Sequence, residues 1–200
     1  VSIKHRAGGG NPRCIDIALI GTTGTVLDAN GVLVSAATSS QLTPDIAFGN
    51  GRFMAVWDDR RNGNADIYGA RLRISGGALL VDDAAGIQYT ANTAKQTAPV
   101  VAFTSQNNNA SGFVTAWSDE RNLAATGTDI YGNIINSTTG AILAGGASGF
   151  VISTNAGDEG NPAICAGNRG NTARALVSYQ RFFAGSTMRV VSRRLLYTEI

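Results

Sequence analysis

The sequence predicts an all-β fold, a β-propeller of about four repeats of four short antiparallel strands, or three and a half to four blades. Three observations point there. One unusual phrase is written twice, AVWDDRRNGNADIYGARL at 55–72 and TAWSDERNLAATGTDIYGNII at 115–135. Three of the 4 prolines, Pro44, Pro99 and Pro162, open matching segments: TPDIAF, TAPVVAF and NPAICAG. Apolar residues alternate with period two in several places, and no segment carries a convincing 3.6-residue period.

The repeat is detailed. Trp57, Asp59, Arg61 and Asn62 recur as Trp117, Asp119, Arg121 and Asn122, and Asp66-Ile67-Tyr68-Gly69 returns 63 residues on as Asp129-Ile130-Tyr131-Gly132. GALL at 77–80 matches GAIL at 140–143. Weaker copies flank these: VSIKHR with CIDIALI at the start, ARALVSYQR with RVVSRRL at the end, where Tyr179 replaces the tryptophan. The units run roughly 1–43, 44–98, 99–161 and 162–200, forming one propeller domain or a propeller fragment.

Within a unit, the first strand begins at the proline: Asp45–Phe48, Val100–Phe103 and Ala163–Ala166. A proline is tolerated at a strand's first residue, where its missing N–H is not needed. The second strand carries the aromatic: Phe53–Trp57, Phe113–Trp117 and Ala175–Tyr179. The third is the Asp-Ile-Tyr strand, with alternation at Ile15, Ile17, Leu19 and at Tyr68, Ala70, Leu72. The fourth is Val32–Ser35, Ile87–Thr90 and Phe150–Thr154, and Gly and Asn/Asp turns separate them. Counted this way the units hold three, four, four and three strands, which leaves open edges of a kind that proteins cover. Either LLYTEI at 195–200 adds a strand and closes a four-bladed ring, or self-association or a longer chain completes the propeller.

The phrase resembles the TolB-type, WD40-like propeller repeat, and the loop from Asp58 to Asp66 resembles the calcium loop of FG-GAP propellers. Both resemblances imply a propeller and neither implies one activity. The FG-GAP likeness implies Asp58, Asn62 and Asp66 as calcium ligands, although Arg60 stands where another oxygen is needed and opposes a cation. The repeated set Trp57, Asp59, Arg61 and Trp117, Asp119, Arg121 reads as scaffold. An Asp and an Arg two residues apart share a face and can bond one another, and a scaffold recurs where a catalytic site need not. The aromatics read as packing between blades, with sugar stacking as the alternative.

Composition narrows the function. Apolar residues make up 44% of the 200 residues and charged residues 15%, with 25 glycines. A net charge of +2 gives no case for nucleic acid. No apolar run spans a membrane. The chain starts at Val1, which fits processing or excision. Cys14, aligned with Ile67, and Cys165, aligned with Ala47 and Ala102 and so expected to be buried, are either one disulfide or two buried thiols. His5 is the 1 histidine, with no Gly-x-Ser-x-Gly elbow to support it, and GGGNP at 8–12 reads as a hairpin loop. Asp82-Asp83 and Asp158-Glu159 read as solvated turns. No catalytic or cofactor-binding constellation is evident.

These features favour a non-enzymatic propeller for recognition, adhesion or assembly, with a protein or glycan ligand. Low lysine content and abundant Asn, Thr and Gly suit an extracellular or cell-surface protein of bacterial type. The alternatives are a hydrolase of glycans or peptides with its site at one end of the channel, and a structural subunit of a filament or larger complex.

Overall fold

The computed structural model describes residues 2–6, 14–28, 30–105, 111–169, 172–183 and 187–197. Among the described residues every strand pairing is antiparallel, and the strands fall into four sheets. The first holds β1 (Ser2–Arg6), β2 (Cys14–Ala18) and β3 (Val32–Ser35). The second holds β4 (Gln41–Gly49), β5 (Arg52–Asp59), β6 (Asp66–Ser75), β7 (Ala78–Val81) and β8 (Ile87–Gln88). The third holds β9 (Gln96–Thr104), β10 (Gly112–Asp119), β11 (Asp129–Asn136), β12 (Ile142–Ala144) and β13 (Phe150–Ser153). The fourth holds β14 (Glu159–Arg169), β15 (Thr172–Phe183) and β16 (Thr187–Tyr197). Among the described residues one 3-10 turn, Gly146–Ser148, is the only helical element.

The sheets stack face to face as propeller blades, and the proline-bearing strands lie side by side, β4 against β9 and β9 against β14. The period-two pattern explains the stacking, because alternate residues serve opposite faces. On β5 and β6, Ala55, Trp57, Tyr68 and Leu72 meet Ile15, Ile17 and Val34 of the first sheet. Met54, Val56 and Ile67 face the other way, against Val101, Phe113, Trp117 and Tyr131 of the third. Ala116 and Ile130 then meet Val177 and Tyr179 of the fourth. Each wholly buried tryptophan removes roughly 150–250 Å² from water. At 25 cal/mol per Å² that is worth about 4–6 kcal/mol as an upper bound.

Four details differ from the sequence expectation. GALL and GAIL form strands of their own, β7 and β12, so the middle sheets have five strands; β6 spans 10 residues and has room for β7 at one end and β8 at the other. The prolines lie inside the first strands, not at their starts. There the ladder slips, between Leu42 and Asp45, opposite Ala116 and Ser118, and between Gly160 and Ala163. A β-bulge needs no donor at the extra residue, so it accepts proline. The residue before each proline turns left-handed: Thr43 at φ 47°, Ala98 at 52° and Asn161 at 50°.

Third, Cys14 occupies the place of Asp66 and Asp129. The paired bulges put Ile15 opposite Ser35 as Ile130 stands opposite Ser153, so the expected alignment was one residue out. A one-residue slip reverses the face a side chain serves. Fourth, Cys165 is exposed, because the face of β14 that carries it has no sheet over it. Cys14 and Cys165 stand on different sheets and are not bonded to each other. The final LLYTEI adds no separate strand, since Leu195 to Tyr197 continue β16, and its last residues lie outside the described residues. GGGNP at 8–12 also lies outside them, and His5 is placed only by its backbone, on β1.

Candidate functional site

The repeated phrase builds a closed polar corner where β5 turns into β6. The Trp57 indole Nε1 donates to Asp59 Oδ2 at 2.9 Å, and the Arg61 backbone N–H donates to Asp59 Oδ1 at 2.9 Å. Arg61 Nη2 reaches Asp59 Oδ2 at 2.5 Å and the Ser35 hydroxyl at 3.1 Å, tying the second sheet to the first. The guanidinium lies 4.2 Å from the centre of the Tyr68 ring. Asn62 Nδ2 donates to the Tyr68 hydroxyl at 2.9 Å. The third sheet repeats the arrangement. Trp117 donates to Asp119 at 3.0 Å, Arg121 binds Asp119 through its backbone N–H, Nε and Nη2, and it lies 3.8 Å over Tyr131. Asn122 donates to Asp129 at 2.8 Å and to the Tyr131 hydroxyl at 3.2 Å. Buried polar groups are costly unless paired, and here the phrase satisfies both oxygens of Asp59 and of Asp119 internally.

Both tryptophans are fully buried, so neither offers a ring to a sugar. Each is roofed by a glycine at positive φ. A Cβ on Gly86 would sit 2.9 Å from Trp57 Cζ2, and one on Gly149 2.6 Å from Trp117 Cζ2.

Asp58, Asn62 and Asp66 do not converge. Asp59 pairs with Asp66 across the ladder and Asp58 pairs with Ile67, so Asp58 points to the opposite face of the sheet. Thr43 donates its hydroxyl to Asp58, whereas Asp66 accepts from Asn62 and Gln88. Burial raises the pKa of both carboxyls. Among the described residues no group of three His, Cys, Asp or Glu side chains is placed to hold a metal ion. Asp82 and Asp83 are not simple solvated turns either. Asp82 pairs with Arg52 and Arg73, and Asp83 accepts from Arg71 Nε at 2.8 Å and Nη2 at 2.8 Å. Burial works to raise the Asp83 pKa, but Arg71 outweighs it and the pKa is lowered.

The fourth sheet builds the same corner from different residues. Across the first and second strands, Gln41 stands opposite Asp59 and Gln96 opposite Asp119; in the fourth sheet Glu159 stands opposite Arg181. The glutamines donate to nearby carbonyls, Gln41 to Ser39 O at 2.7 Å and Gln96 to Ala94 O at 2.7 Å. A glutamate cannot donate in this way when ionised. Glu159 is instead buried beside Arg181, with Nε and Oε1 3.6 Å apart, and accepts from the Ser153 hydroxyl at 2.9 Å. Burial, the largest influence, raises its pKa, and Ser153 and Arg181 oppose the rise. Glu159 Oε2, the Tyr179 hydroxyl and the neighbouring Ser118 hydroxyl are buried without a hydrogen-bond partner. Gln41 Oε1 and Gln96 Oε1 are also unpartnered, so the fourth corner is distinguished by its charge and by the cleft it opens on.

That cleft holds about 310 Å³ between the third and fourth sheets. Ser118, Thr128, Asp158, Glu159, Gln180 and Arg181 line it. It lies at the bulge end of the stack, where Ala98 and Asn161 also border it and where Pro44, Pro99 and Pro162 surround a second cleft of about 350 Å³. Left-handed non-glycine residues cost roughly 1–3 kcal/mol each, and three of them, Thr43, Ala98 and Asn161, border this second cleft. A third space of about 390 Å³ is apolar, lined by Val114, Ile134, Phe150 and Leu195. It opens where Ala175 takes the place of Phe53 and Phe113.

Glu159 escaped the sequence reading because Asp158-Glu159 looks like a polar turn. The signal was its spacing: it precedes Pro162 by the interval that separates Gln41 from Pro44 and Gln96 from Pro99.

No family model matches the chain, TolB-type and FG-GAP repeats included, and comparison with curated protein sequences gives no match. Among solved structures the chain is similar to an α-L-arabinanase of Penicillium chrysogenum complexed with arabinobiose, at a TM-score of 0.45 and 11% identity. The match covers 90% of this chain and 58% of that one, so the chain spans less than two thirds of that protein's length.

Proposed function

We propose that this chain is a recognition propeller whose cleft between the third and fourth sheets binds an uncharged, polyhydroxylated ligand such as a glycan. One observation carries the reading. The fourth repeat replaces the Gln–Asp corner with Glu159 and Arg181, beside a Ser118 hydroxyl that has no partner, and all three line one polar cleft. Two carboxyl groups, a guanidinium, hydroxyls and the Gln180 amide together supply both donors and acceptors, which suits vicinal hydroxyls. Adhesion or assembly outside the cytoplasm, on a bacterial surface, is the setting we propose. Low lysine content and an Asn-, Thr- and Gly-rich composition support it.

A glycan array followed by titration calorimetry tests the reading. Binding of a neutral oligosaccharide that Ser118→Leu abolishes, with the melting temperature kept, is expected. An array empty of neutral glycans, or binding indifferent to Ser118→Leu, would count against it.

A second reading is hydrolysis. Asp158 and Glu159 share the cleft, and a buried carboxyl with a raised pKa suits a general acid. Release of reducing ends from a bound glycan, lost in Glu159→Gln while binding persists, would favour this over simple recognition.

A further inference from the structure

The second and third sheets bury a pair of rings at their junction. Phe113 is fully buried there, and Phe103 meets it edge-on with ring centres 5.3 Å apart. Met54 and Ile135 pack in the same cluster. The ladders fix the equivalent positions one junction further on. Ala175 stands opposite Ala166 as Phe113 stands opposite Phe103, and opposite Leu195 as Phe113 stands opposite Ile135. Val114 follows Phe113 as Met54 follows Phe53, so it takes the place of Met54. Both phenyl rings are gone from this junction, and a valine replaces the longer methionine. The space left is the apolar cavity of about 390 Å³ between the third and fourth sheets. Its walls are strands of this chain, β10, β11 and β13 on one side and β15 and β16 on the other.

The walls favour one kind of occupant. Val114 and Ile134 are buried, and Phe150 lines the cavity with a ring where the second sheet has Ile87, each paired with the glycine of its Asp-Ile-Tyr-Gly strand. Thr104 also lines it, but its hydroxyl donates to Gly167 O at 3.1 Å. Arg174 and Arg194 border it next to Ala175 and Leu195, and strand alternation assigns their side chains to the opposite face. Interiors leave few voids larger than a water molecule. An apolar cavity stays dry and takes guests such as benzene.

We propose that this cavity binds a small, uncharged aromatic molecule, whose ring lies against Phe150 in the space that Phe103 and Phe113 fill one junction earlier. Its volume is that of a ligand pocket. The exposed Leu196 borders it and marks where it meets the surface. The site is separate from the polar cleft. Ala175 and Arg181 lie about 20 Å apart along β15, at 3.3 Å per residue.

Titration calorimetry with benzene on the 200-residue chain tests the proposal. Saturable binding at one site per chain is expected. Cyclohexane should bind roughly 2- to 10-fold more weakly, because it cannot make the ring-to-ring contact with Phe150. Ala175→Phe supplies the missing ring from the chain itself and should abolish benzene binding with the circular dichroism kept. Ala166→Phe makes the same test at the place of Phe103, should the first variant not fold. Ser118→Leu, in the polar cleft, should leave benzene binding unchanged. A wild-type chain that takes up no benzene overturns the proposal. So does cyclohexane bound as tightly as benzene, benzene binding that survives in either folded phenylalanine variant, or binding lost in Ser118→Leu.

Discussion

The Trp57 indole donates to Asp59 Oδ2 at 2.9 Å, the two fully buried side chains standing two residues apart on one face of β5. Asp59 also accepts from the Arg61 backbone and guanidinium, so one carboxylate holds a strand end, a turn and an aromatic in place. Asp59→Ala leaves the indole and the backbone N–H unpaired and should lower unfolding stability by roughly 1–3 kcal/mol. Urea denaturation checks this, and Asp119→Ala should behave alike, because its corner has the same bonds.

Ala175 stands where Phe53 and Phe113 fill the wedge between sheets, and an apolar space of about 390 Å³ remains beside it. Ala175→Phe should restore the interior pattern and raise stability by about 0.5–2 kcal/mol, the usual yield of filling a cavity. A lowered melting temperature in that variant would show that the space is needed or cannot take the ring.

Glu159 has a raised pKa in the native state because it is buried, so the folded protein holds its proton more tightly than the unfolded chain does. Native stability from this group is then fully present below its ordinary value of 4.5 and is lost as pH rises through the raised one. Glu159→Gln keeps a neutral group at every pH. The variant should match wild type near pH 4 and melt higher than wild type at neutral pH. Melting curves across that range check it, and a variant less stable at pH 7 would mean that the Arg181 pair outweighs the burial of the charge.

Calcium should leave the melting temperature unchanged. A ligand that binds the native state raises it by mass action, but Asp58 and Asp66 point to opposite faces of β5 and β6 and cannot grip one ion. A calcium-dependent rise that Asp66→Ala removes would contradict this.

Much of the fold could be read from the residues, because repetition tells where interior positions lie. Ile67 and Ile130 announce each other, and so do Trp57 and Trp117. The parts that resisted are those where one residue changes the outcome. Cys14 aligns with Ile67 by pattern but with Asp66 by register, and in a strand that one-residue difference exchanges one face for the other. Pro44, Pro99 and Pro162 marked the right strands, but a proline at a strand start and a proline in a bulge look the same in a sequence. The ligand-like spacing of Asp58, Asn62 and Asp66 belongs to a loop; on a hairpin the pleat separates the first from the last. Glu159 was hidden because its partner Arg181 lies 22 residues away, and the two make sense only as a joint replacement of Gln and Asp.

We propose that the corners of the second and third sheets are scaffold and that the fourth is a binding site. The most direct measurement is glycan binding and thermal unfolding of the double variant Glu159→Gln/Arg181→Asp, which rewrites the fourth corner with the residues of the other two. A folded protein is expected, with its melting temperature retained or raised and its binding lost. A variant that unfolds, or one that still binds the glycan, would contradict it.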